Sequence, residues 1–154
     1  MKREKAASRR PNRIRLRGVR ESDLPVFYEH QRDPVAVRMA VFQSRERDAF
    51  MTHWHKIMAD PANLLTSVLA DGQLAGNVVS FLRGDTREVG YWIGREFWGR
   101  GIATRALALF LRRDRTRPLY AGVARGNAAS IRVLEKCGFV FLREEGEDLL
   151  FILP

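Results

Sequence analysis

The stretch Trp98-Gly99-Arg100-Gly101-Ile102-Ala103-Thr104 decides how this sequence is read. Before it, Glu88-Val89-Gly90-Tyr91-Trp92-Ile93 is strand-like, and residues 102–113 after it carry a helical repeat of apolar positions. Glycines between a strand and a helix let backbone approach a ligand closely. The first turn of the helix adds N–H groups that have no partner within the helix. Together they suit a phosphate or pyrophosphate. A P-loop needs Gly-Lys-Ser/Thr, which is absent, and a dinucleotide fingerprint needs a third glycine where Thr104 stands.

Working outward, Pro118 opens a strand over 119–124. The strand–helix–strand unit from 88 to 124 implies a parallel pair joined by a right-handed crossover. Asn127 is a strong N-cap for a helix over 128–137, which Gly138 closes, and 139–143 with 149–153 form a hairpin around an acidic turn. Upstream, strands over 64–70 and 74–82 meet at Asp71-Gly72, a two-residue hairpin signal, and Gly84-Asp85 turns into the next strand. Residues 13–19 alternate as a half-buried strand. Ser22 or Asp23 caps a helix with Leu24, Val26, Phe27 and Tyr28 that fades before Asp33-Pro34. A second helix opens at Ser44 and ends near Asp60-Pro61, with Met51, Trp54 and Met58 facing the core. The pattern is a mixed α/β sandwich around one sheet, with one domain over 13–154 and a tail over 1–12.

Composition narrows the function. Of 154 residues, 45% are apolar and 29% charged, the balance of a globular protein. No apolar run approaches the roughly 18 residues of a membrane span. The basic start is not followed by an apolar stretch, so no secretory signal is expected. The single Cys137 makes an internal disulfide impossible and reads as a small apolar filler, which favours a reduced, cytoplasmic setting. His53 and His55 fall on different helix faces, and with His30 they read as surface or packing residues, so no metal site is expected. The net charge of +9 is concentrated: residues 1–20 hold nine basic groups against Glu4 alone, while the remainder holds 18 against 17. A nearly neutral body argues against a dedicated nucleic-acid domain.

Three segments together resemble the GNAT superfamily of N-acetyltransferases. Trp98-Gly99-Arg100-Gly101-Ile102-Ala103 is similar to its Arg/Gln-x-x-Gly-x-Gly/Ala pattern, with Trp98 at the Arg/Gln position. Strand 88–93 and the segment Asn127-Ala128-Ala129-Ser130-Ile131-Arg132-Val133-Leu134-Glu135-Lys136-Cys137-Gly138-Phe139 resemble its ribosomal-protein-alanine acetyltransferase branch. Residues 14–17 and 21–24 look like that branch's opening strand and helix, so the resemblance spans about 13–153.

The resemblance implies a mixed sheet whose central parallel strands splay, with helices on both faces. It implies acetyl-CoA as acetyl donor and a primary amine, a protein N-terminus or a small molecule, as acceptor. Cofactor-binding positions are then Trp92, Ile93 and Gly94 for the pantetheine arm and Gly99, Arg100, Gly101, Ile102, Ala103 and Thr104 for the pyrophosphate. Asn127 doubles as cap and pantetheine contact. Arg95, Arg100 and Arg105 are either phosphate partners or solvated surface groups. Many relatives place a Tyr acid where Leu134 stands here, leaving Ser130 or a water to protonate the thiolate. Glu88 is the candidate base, or an edge carboxylate paired with an arginine. The acidic turn at Glu144, Glu145, Glu147 and Asp148 is either solvated or attracts a cationic acceptor. A second reading is a non-catalytic acyl-CoA-binding domain whose basic tail docks RNA or ribosomes. Release of free thiol from acetyl-CoA separates the two.

Overall fold

The computed structural model describes residues 10–41 and 43–154. Strand β1 (Ile14–Gly18) leads through a 3-10 turn (Glu21–Asp23) into helices α1 (Leu24–Arg32), α2 (Pro34–Ala40) and α3 (Arg47–Ala59). Strands β2 (Leu64–Ala70), β3 (Gln73–Arg83) and β4 (Thr86–Ile93) follow. A 3-10 turn (Arg95–Phe97), α4 (Ile102–Arg113), β5 (Leu119–Ala124), α5 (Ala128–Lys136), β6 (Val140–Glu145) and β7 (Asp148–Leu153) complete the order.

All seven strands form one sheet, β1-β2-β3-β4-β5-β7-β6. Neighbours are antiparallel except β4 and β5, which are parallel. The β2–β3 turn places Asp71 at φ 48 and Gly72 at φ 82, the double positive φ that a two-residue hairpin requires. Val78 packs with Ile102, Ala106, Leu107 and Phe110 of α4 and Leu134 of α5. Its neighbour Val79 packs instead with Leu24 and Phe27 of α1 and Phe50 and Trp54 of α3. Adjacent strand residues point to opposite faces, so helices cover both sides of the sheet. Among the described residues no helix is long and apolar enough to cross a membrane.

Three local expectations change. Asp33-Pro34 ends α1 but also starts α2, because Asp33 Oδ1 accepts the N–H groups of Val35 and Ala36 at 2.9 and 3.2 Å. Pro34 occupies the first helical position, where a missing N–H costs nothing. Helix α3 begins after Glu46 rather than at Ser44. Asp23 precedes α1, yet its carboxylate is no cap. It is an anchor, accepting from Arg17 Nη1 and Nη2 at 2.7 and 2.8 Å, Ser67 Oγ at 2.6 Å and the Arg20 N–H at 2.9 Å.

Asp114, beyond α4, mirrors it with Ser80 Oγ at 2.5 Å, Arg87 Nε at 2.9 Å and the Thr116 N–H at 3.0 Å. Burial alone would raise both carboxyl pKa values. The converging donors outweigh it and hold each at about 2. One knot ties the start of α1 to β1 and β2; the other ties the end of α4 to β3 and β4. Of the tail, residues 1–9 lie outside the described residues. Arg105 Nη1 donates to Pro11 O at 2.6 Å, and the Asn12 N–H donates to Asp71 Oδ2 at 3.1 Å.

Candidate active site

Strands β4 and β5 meet in register at one pair, Glu88 opposite Tyr120. Past that pair they diverge, and a cleft of about 350 Å³ opens, reached by α2, α5 and the turn before α4. Its wall gathers Trp92, Ile93, Gly99, Gly101, Ile102, Ala103, Thr104, Asn127 and Ser130 from the predicted positions. Glu88, Gly94 and Arg100 stand outside that wall. Ala36, Met39 and Ala40 of α2 also line it, and their role was invisible while Pro34 read as a stop.

Two helix starts face this space. Gly101 precedes α4 in the left-handed region, φ 72, and offers no side-chain cap. The N–H groups of the first α4 turn therefore have no side-chain cap at the end of the helix that carries partial positive charge. Gly99, at φ 75, helps to form the turn that leads there. Helix α5 starts instead behind Asn127, whose Oδ1 accepts the Ser130 N–H at 3.2 Å.

The end of β4 is held from two sides. The Gly94 N–H donates to Ala75 O at 2.9 Å. A Cβ on Gly94 would lie 2.5 Å from His30 Nε2, so glycine is what lets the imidazole pack there. His30 is buried in that contact, and burial lowers its pKa against the opposing pull of Glu96, 3.7 Å away. Trp92 Nε1 donates to His30 O at 3.2 Å, and Trp98 Nε1 to Ile93 O at 2.8 Å. Since Gly94 faces β3, ladder alternation turns the backbone polar groups of Tyr91 and Ile93 toward β5 and the splay.

Residues 13–140 match the acetyltransferase (GNAT) domain family. The chain belongs to that family. Its fold is similar to that of a GNAT-family acetyltransferase from Bacillus anthracis, at 16% identity, TM-score 0.76, covering 94% of this chain and 96% of that one. It is similar too to a spermidine N-acetyltransferase from Vibrio cholerae solved with CoA and spermine, at 20% identity and TM-score 0.76, with 90% and 92% covered. An aminoglycoside acetyltransferase in complex with coenzyme A aligns at 17% identity and TM-score 0.75, with 91% and 93% covered. Among curated protein sequences none matches.

In this GNAT domain the three arginines near the turn are engaged by the protein. Arg95 pairs with Asp33 at 3.5 Å, Arg100 donates to Glu96 O at 2.7 Å and lies over the Phe97 ring, and Arg105 holds Pro11 and Asn12. The cationic side chains of the cleft wall are Arg132 and Lys136, both missed from sequence. They share the helical spacing of Ala129 and Val133, a stripe that marks one face of α5.

Deeper in, the Tyr91 hydroxyl lies 2.5 Å from Ser130 Oγ. Burial pushes the tyrosine up to about 12. Leu134 is 1% exposed and belongs to the core, so no titratable group occupies its position. At the apex, Glu88 has a side chain 14% exposed, with Arg83 Nε at 3.5 Å. Burial raises its pKa above the ordinary carboxyl value; Arg83 opposes the shift and Glu145 adds to it. Glu144 pairs with Arg125 and Glu145 with Arg143, each at 2.9 Å. Among the described residues no three metal-ligating side chains converge.

Proposed function

We propose that this GNAT protein transfers the acetyl group of acetyl-CoA to a primary amine, either a protein N-terminus or a small molecule. One observation carries the reading: β4 and β5 are in register at Glu88–Tyr120 alone, so their divergence leaves a cleft that ends on an uncapped helix start. The N–H groups around 101–104 suit the pyrophosphate, and Arg132 and Lys136 add charge beside it. Trp92 to Gly94, with Asn127, border the pantetheine arm. Two of the similar folds are named as acetyltransferases of spermidine and of aminoglycosides, which supports an amine acceptor. The Asn127-to-Phe139 segment supports the ribosomal-protein-alanine acetyltransferase branch.

In the reaction the acceptor nitrogen forms a bond to the acetyl carbon, and the C–S bond breaks with its electron pair on sulfur. Ser130 is the acid that protonates the sulfur. Glu88 is the base, and its raised pKa brings it closer to the amine whose proton it takes. Ser130 lines the cleft, and Glu88 stands at the pair where the strands begin to part, outside the cleft wall. The test is calorimetric titration of acetyl-CoA, followed by thiol release over N-terminal peptides, polyamines, aminoglycosides and amino acids. Binding with amine-dependent thiol release is expected. No binding of acetyl-CoA by the folded protein overturns the reading.

A further inference from the structure

We propose that Tyr91 is a positioning residue for Ser130, fixing the serine hydroxyl so that its proton points into the cleft toward the sulfur of a bound thioester. The proposal rests on the cleft being an acetyl-CoA site. Tyr91 shares a β4 face with Val89 and Ile93, opposite Glu88 and Trp92, and so reaches α5. Its hydroxyl lies 2.5 Å from Ser130 Oγ and 3.2 Å from the Ser130 carbonyl oxygen.

Tyr91 has one proton for two acceptors, Ser130 Oγ and the Ser130 carbonyl, and the shorter contact assigns it to Oγ. A tyrosine hydroxyl has one proton; a serine hydroxyl has one proton and two lone pairs. A serine within a helix commonly turns its proton back to the carbonyl one turn earlier. Among the described residues Ser130 Oγ makes no such bond, and its N–H is already given to Asn127. With Tyr91 donating to Oγ over the shorter distance, no protein acceptor among the described residues takes the serine proton, which faces the cleft that Ser130 lines. Burial pushes the tyrosine up to about 12, so its proton stays in place as a donor to Oγ. When the C–S bond breaks, Ser130 passes its proton to sulfur, and the proton that Glu88 takes from the acceptor nitrogen is returned to the serine through solvent. Both hydroxyls end as they began.

Bound CoA reads this directly, with no acceptor needed. The ultraviolet absorbance of its thiolate, followed against pH, gives the pKa of the bound thiol. A hydrogen bond aimed at sulfur favours the thiolate, so the bound thiol should ionise below free CoA. Tyr91→Phe keeps the ring packing and should raise that pKa by about one unit. Ser130→Ala should raise it equally, and the double variant no further, while calorimetric affinity for CoA stays within about twofold. A thiol pKa unmoved by Tyr91→Phe, or shifts that add in the double variant, overturn the positioning role and leave the acetyltransferase reading standing. Failure of the parent protein to bind CoA overturns both.

Discussion

Helices α4 and α5 both begin at the cleft, and they begin differently. Helix α5 has its cap built in, the Asn127 carboxamide on the Ser130 N–H at 3.2 Å. Helix α4 has a left-handed glycine at φ 72 and no capping side chain. A missing cap costs about 1 kcal/mol of stability. The contrast separates two uses of one piece of geometry: the α5 start is completed by the chain and holds Ser130 in place, whereas the α4 start is left open by the chain, which is where the proposed function puts an anionic ligand. Charge follows the same division, since Arg132 and Lys136 of α5 flank the space that α4 leaves open.

The largest expected effect is at the open start. Gly101→Val places a β-branched residue at positive φ where the proposed function puts a phosphate, although the protein leaves room, with the Arg10 guanidinium 4.0 Å from a Cβ there. Acetyl-CoA affinity, measured by calorimetry on folded protein, should fall by about 3 kcal/mol, roughly 100-fold. Unchanged affinity would remove the functional half of the contrast.

Stability held far from either helix start provides the control. Asp23 and Asp114 have pKa values of about 2 in the fold against 3.8 ordinarily. Groups with depressed folded values stabilise above the unfolded value and lose that contribution as pH falls from 3.8 through about 2. Each is worth about 2 kcal/mol near neutrality. Asp114→Asn should lower the thermal midpoint at pH 7 and flatten the acid decline, with acetyl-CoA affinity unaffected. A parallel loss of affinity would show that the two properties are not separable.

At the closed start, Asn127→Ala should cost about 1 kcal/mol in denaturant melts through the lost cap. The smallest effect belongs to the flanking charges. Lys136→Ala should weaken acetyl-CoA binding by about 0.5 kcal/mol, and the loss should shrink in high salt. A salt-independent loss would mean that Lys136 acts by packing.

The α4 half of this contrast was legible in the sequence because its signals are local. Glycines at positive φ, a strand before them and a helix over Ile102–Arg113 after them all follow from short-range rules. The α1–α3 side was less so. A proline after an aspartate ends one helix and starts another by the same chemistry, and only the Asp33 bonds to Val35 and Ala36 distinguish a stop from a restart. Asp23 likewise has the composition of a cap, and its anchoring to Ser67 depends on a strand 44 residues away. Within the site, alternation along β4 puts Tyr91 opposite Trp92. That it meets Ser130 depends on how α5 docks across the splay, which no spacing encodes.

Backbone amide resonances measured while CoA is added test the open helix start most directly. If that start holds the pyrophosphate, the amides of Gly101, Ile102, Ala103 and Thr104 should move furthest, and Gly101→Val should abolish their movement. Saturable CoA binding that leaves those four amides in place would contradict it.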